Sequence, residues 1–101
     1  MAMVEPSDAT LPNLHDAVLE RLVIDWDQAI ARIELTCVPG GPTAIELRGL
    51  VDFKMTRRQE WGPSVFVNAA EVSASDGQLV LSIEMQSGGE ITVTAQSVAV
   101  A

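Results

Sequence analysis

From Val65 to Ala95 apolar and polar residues alternate, interrupted only at Asp76-Gly77 and Ser87-Gly88-Gly89. Leu79, Leu81, Ile83 and Met85, then Ile91, Val93 and Ala95, hold every second position, with Val80, Ser82, Glu84, Gln86, Thr92 and Thr94 between them. A strand turns successive side chains to opposite faces, so this spacing describes a sheet with one buried side. The interruptions supply residues that accept the positive φ of a tight reversal, and the runs therefore fold back on each other as an antiparallel hairpin.

The same reading extends upstream. Residues Met1 to Asn13, with Pro6 and Pro12 and little apolar pattern, are expected to form a loose leader to one domain over residues 14–101. Asn13 with Asp16 imitates a helix cap, and Leu14, Val18 and Leu22 share helical spacing. Val18, Leu22, Ile24 and Trp26 equally share strand phase, which favours a strand from about Ala17 to Asp25 reversing at Trp26-Asp27-Gln28-Ala29; a short helix over Asn13 to Leu22 is the alternative. Ile30 to Val38 alternates with Ala31, Ile33, Leu35 and Cys37 inward, and Pro39-Gly40-Gly41-Pro42 ends it.

Ala44 to Thr56 reads as one strand through Ile45, Leu47, Val51, Phe53 and Met55, with Gly49 on its apolar phase marking a bulge or a close approach to the backbone. A strand from Ser64 to about Ser73 carries apolar residues on both sides, Val65, Val67 and Ala69 against Phe66, Ala70 and Val72, and is expected to be central or to cross between layers. About six strands joined by short reversals give an all-β, single-domain antiparallel meander, curled into a barrel-like roll or folded as a small sandwich.

A chain of 101 residues buries roughly two thirds of its unfolded surface, enough for one core without staples. Its lone cysteine, Cys37, forms no internal disulfide and reads as a small inward hydrophobe. No apolar run approaches the roughly 20 residues of a spanning helix, and the amino terminus lacks the basic and apolar parts of a secretory signal, so a cytoplasmic location is expected. Fourteen acidic residues against six basic ones give a formal charge of −8. That field repels nucleic acid and anionic membranes, and Arg57-Arg58 is the largest basic cluster; a basic protein partner fits better. The stretch from Ile91 to Ala101 carries no charge. It suits either a homodimer joined through an unprotected edge strand or a strand interior to its own sheet, and its change of phase near Gln96 marks a bulge or a segment leaving its sheet.

His15, the single histidine, lies beside Asp16, a pairing that suits a general base held by a carboxylate, although two such neighbours more often cap the entry to a strand by bonding to backbone. Asp25 and Asp27 have the spacing of a cation loop but lack its glycine pivot and later glutamate, so turn chemistry accounts for them and no metal or cofactor is expected. Ser64 lacks a nucleophile elbow, and the paired glycines are hairpin residues without the helix and lysine of a phosphate loop. Trp61, flanked by Arg57, Arg58 and Glu60, is the strongest recognition candidate, since tryptophan and arginine dominate binding hot spots; the plainer role is a lid folded back on the sheet. Trp26 reads as a plug at the end of its turn.

Leu14-His15-Asp16-Ala17, Ile24-Asp25-Trp26, Trp61-Gly62-Pro63-Ser64-Val65 with Asn68, and Ile83-Glu84-Met85-Gln86-Ser87-Gly88 together resemble recurring motifs of small uncharacterised bacterial proteins of this length. The resemblance implies a bacterial cytoplasmic β protein and transfers no catalytic residue. A fold-level likeness to small immunity proteins of toxin systems suggests a protector of a basic partner. Two functions follow: a non-enzymatic protein-interaction module, or a small-ligand binder or enzyme with a site around His15, Asp16, Arg58 and Trp61.

Overall fold

The computed structural model describes the backbone of residues 2–4 and the whole of residues 11–57 and 65–100. Among the described residues nine strands run in chain order: β1 (Ala2–Val4), β2 (Val18–Asp25), β3 (Ile30–Cys37), β4 (Gly41–Arg48), β5 (Asp52–Thr56), β6 (Val67–Ser75), β7 (Gln78–Met85), β8 (Glu90–Ala95) and β9 (Ser97–Val100). They form two antiparallel sheets, a five-stranded one in the order β1-β9-β4-β3-β2 and a four-stranded one in the order β5-β8-β7-β6. The sheets stack as a sandwich and do not close into a barrel; among the described residues there is no helix, which removes the helical alternative over Asn13 to Leu22. Among the described residues no helix is long and apolar enough to cross a membrane.

Alternation does the work anticipated for it. Ala31, Ile33 and Leu35 of β3, Leu79, Leu81, Ile83 and Met85 of β7, and Ile91, Val93 and Ala95 of β8 are all buried. With Ile45, Leu47, Val67 and Val98 they make one continuous core between the sheets. The Asp76-Gly77 reversal has both residues at positive φ, 51° and 77°, as a two-residue hairpin turn of the favoured twist requires.

Three expected strands are divided or displaced. Ala44 to Thr56 is two strands, β4 in the first sheet and β5 in the second, because the chain changes sheet at Gly49. At Gln96, where the change of phase marks a segment leaving its sheet, the chain does leave it and Ile91 to Ala101 divides into β8 and β9 of different sheets. The two crossings are one corner: the Gln96 N–H donates to the Arg48 carbonyl at 3.0 Å and the Val51 N–H to the Thr94 carbonyl at 2.8 Å. Gly49 has φ +68°, and a Cβ there would lie 2.7 Å from the Gln96 side chain, so only glycine lets two strands change layer side by side. Beyond the corner the expected inward row fails: Val51 and Met55 are exposed and Phe53 alone packs on the core.

The strand placed at Ser64 to Ser73 begins at Val67 and is the edge of its sheet, not its centre. A register shift between Val67 and Ala69 explains its two apolar sides: the extra residue returns Ala70 and Val72 to the core face that Val67 occupies. The leader is not wholly loose either, since Ala2–Val4 pairs with Val98–Val100. The backbone of β9 is thus engaged on both sides, by β1 and β4, and is no free edge.

Candidate functional site

One corner of the sandwich joins His15 and Asp16 to polar residues distant in sequence. Asp16 adopts φ 66°, the left-handed conformation that aspartate tolerates better than most side chains. That turn lets the Asp16 N–H donate to the Val67 carbonyl and the Val67 N–H to the Ala17 carbonyl, tying the approach to β2 against the start of β6. Leu14 and Ala17 are buried on either side of His15 and Asp16 and pin them in place. His15 Nδ1 donates to the Asn68 carbonyl at 2.7 Å, and Gln86 Nε2 donates to Asp16 Oδ1 at 2.6 Å. Asn68 Nδ2 donates in turn to Glu84 Oε1 at 2.8 Å.

His15, Asp16, Asn68, Glu84 and Gln86, distant in sequence, therefore form one chain of contacts. With Nδ1 as donor, Nε2 of a neutral ring carries the lone pair, 3.7 Å from Asp16 Oδ1. Both His15 and Asp16 are more than half exposed. The arrangement orients an imidazole without sheltering it from water, which suits a surface contact better than proton transfer.

Arg57 lies elsewhere, on a groove of about 350 Å³ at an open side of the sandwich. Leu19 and Leu22 of β2 form one wall, Met55 and Ile91 of the opposite sheet the other, with Val65, Met85 and the turn residues Ser87 and Gly89 completing it. His15 and Asp16 do not line it. Arg58, Glu60 and Trp61, the remaining expected recognition residues, lie outside the described residues, as does Ser64. Trp26 is not a plug. Asp25 Oδ1 accepts from the Gln28 N–H at 3.0 Å, closing a turn that carries the indole beyond both sheets, 92% exposed. The same bond accounts for Asp25 as a turn residue, and among the described residues no group of acids, histidines or cysteines could hold a metal.

The outer faces of the two sheets differ in charge. On the five-stranded sheet, Arg21, Glu34, Arg32, Glu46 and Arg48 alternate in sign across β2, β3 and β4. Their contacts are 3.1 Å from Arg21 to Glu34, 3.0 and 3.5 Å from Arg32 to Glu34 and Glu46, and 2.7 Å from Arg48 to Glu46. The hydrogen bond from Arg21, reinforced by that from Arg32, holds the Glu34 carboxyl below its usual range. On the four-stranded sheet Glu84 stands directly opposite Glu90, and Glu71 opposite Ser82. On this sheet Lys54 lies 3.6 Å from Asp52, and Arg57 follows Thr56, the residue opposite Glu90. A shallow depression of about 310 Å³ opens over Ala69, Ser82 and Thr92, rimmed by Glu71, Glu84 and Glu90.

No single glutamate in this second face stood out in the sequence, yet counting outward from Ser87 puts Glu84 opposite Glu90. The arginine–glutamate ladder needed the register of three strands, and the shift between Leu19 and Arg21 hides it from simple counting.

No protein-family model matches the chain, and no curated protein matches it. Among solved structures it is similar to the crystal structure of an uncharacterized protein from Neisseria gonorrhoeae, with a TM-score of 0.69 over 88% of this chain and 94% of that one. Identity between the two is 15%, so the likeness is one of fold.

Proposed function

We propose that this protein is a non-enzymatic interaction module that engages a basic protein through the outer face of its four-stranded sheet. The supporting observation is the pairing of Glu84 directly against Glu90 above a shallow depression rimmed by Glu71. Like charges placed opposite each other cost stability, and an arginine or lysine side chain arriving over small residues such as Ala69 and Ser82 relieves that cost. A bacterial cytoplasmic setting and an immunity-like protective role belong to the same reading.

Titration calorimetry with poly-L-arginine at moderate salt tests it. The triple variant Glu71→Gln, Glu84→Gln, Glu90→Gln should bind at least tenfold more weakly than the native chain. A variant with the same net charge, Glu20→Gln, Asp27→Asn, Asp76→Asn, should bind almost as well as native. Equal losses in both triples would mean that overall charge alone attracts the peptide, and the reading would fail.

A second reading, a small-ligand site, draws support from the convergence of His15, Asp16, Asn68 and Gln86. It predicts that a ligand found by screening protects the His15 ring resonances and loses affinity in His15→Ala.

A further inference from the structure

Two unmatched features lie on one strand. β2 ends the five-stranded sheet, and its first residues are covered: Val18 bridges to Phe66 and the Leu19 N–H donates to the Val65 carbonyl. A register shift falls at Glu20, and from Arg21 to Asp25 the outer edge meets no backbone partner among the described residues. Natural edges of this kind are shielded or used. Val23 and Ile24 there are 40% and 43% exposed, although Ile24 shares the inward phase of Leu22. Immediately beyond stands Trp26, the most exposed large hydrophobic residue described.

We propose that this edge pairs with a second copy of the same strand, antiparallel about a two-fold axis through Val23. The segment Arg21-Leu22-Val23-Ile24-Asp25 is self-complementary in that register. Arg21 meets Asp25 of the second copy at both ends, Leu22 meets Ile24, and Val23 meets its own counterpart. Side chains opposed across such a pair share a face, so Leu22 covers the partly bare Ile24. The charge ladder of the outer face ends on the cation Arg21, and Asp25 of the second copy continues its alternation across the axis.

The same register brings Trp26 level with Glu20 of the second copy, at the groove lined by Leu19, Leu22, Met55 and Ile91. An exposed indole and an apolar groove are thus brought together by this register. Five paired residues alone fall short of the ~1,000 Å² that a stable interface buries, whereas a tryptophan entering a pocket on each side adds roughly 150–250 Å² apiece. Tryptophan burial is therefore what makes the pairing specific.

Sedimentation equilibrium of the full chain over a range of concentrations tests the assembly, with circular dichroism confirming that each variant keeps its strands. The native chain should show a monomer–dimer equilibrium. Trp26→Ala and Val23→Lys should each weaken it at least tenfold, as should Asp25→Arg, which sets arginine against Arg21. The double variant Arg21→Asp, Asp25→Arg should recover dimerisation, since reversal restores both pairs. In a Trp61→Phe background, Trp26 emission should move to shorter wavelength as concentration rises. A chain that is monomeric throughout overturns the proposal. So does a dimer indifferent to Trp26→Ala and Val23→Lys, including one lost only on shortening the chain at Gln96.

Discussion

The two outer faces of this sandwich are built from the same kind of residue and reach opposite electrostatic ends. On the five-stranded sheet, Glu34 and Glu46 each lie between arginines and are only 26% and 13% exposed as side chains. On the four-stranded sheet, Glu84 and Glu90 oppose each other at the end of a hairpin. Three of the six basic residues of the chain are spent in the first ladder, which leaves the surplus of acid to the rest of the surface. A net charge of −8 is thus not a uniform coat: one face is internally balanced, while on the other Glu84 and Glu90 stand opposite each other.

Breaking the balanced face should have the largest effect. Among the described residues Arg32 alone is bonded to both glutamates of the ladder. Replacing it by glutamate removes two contacts and sets three carboxylates side by side, two of them half-buried. Glu34 keeps Arg21 and Glu46 keeps Arg48, and near-surface pairs are each worth up to about 1 kcal/mol, so Arg32→Glu should lose about 1 kcal/mol in urea unfolding. A loss below a few tenths would mean that the ladder is an ornament of packing.

The opposite sign is expected on the second face, with a smaller magnitude. Glu90→Lys turns the repelling cross-strand pair into an attracting one and should raise stability by about 0.5 kcal/mol. The same substitution should weaken poly-L-arginine binding, so that stability gained and binding lost move together. A variant that gains neither stability nor loses affinity would mean that Glu84 and Glu90 are simply solvated.

How much of this was legible in the sequence follows from what alternation encodes. Period two assigns residues to a face, and it placed Ile33, Leu81 and Val93 in the core because each lies within a strand that stays in one sheet. Period two is blind to which sheet a face belongs to. Gly49 and Gln96 both showed as irregularities, but the fact that they are one corner depends on β4 pairing with β9 and β5 with β8, contacts between residues 34 to 55 positions apart. Bulges are the second blind spot: one extra residue at Asn68 makes a one-sided edge strand look two-sided. Of the site, the turn chemistry of Asp25 was readable locally, whereas the link from His15 through Asn68 to Glu84 exists only once β6 lies beside β7.

The smallest and most selective effect concerns Glu34 and acid. Its carboxyl is held below the usual range by hydrogen bonds from Arg21 and Arg32, so the folded chain binds that proton less readily than the unfolded one. The stability it contributes is complete above the ordinary glutamate range and is lost as pH falls through its lowered folded value. Glu34→Gln has no such proton to take up. The stability difference between native and variant should therefore be constant at neutral pH and shrink in acid, because protonation brings native Glu34 toward the neutral state that glutamine mimics. The difference is small, since the contacts are near the surface and water screens them, and it should shrink further when salt is raised at neutral pH. Thermal unfolding of the two chains across the acid range checks it: a difference that stays level or widens as pH falls would mean that the ladder does not hold the Glu34 carboxylate in its charged form.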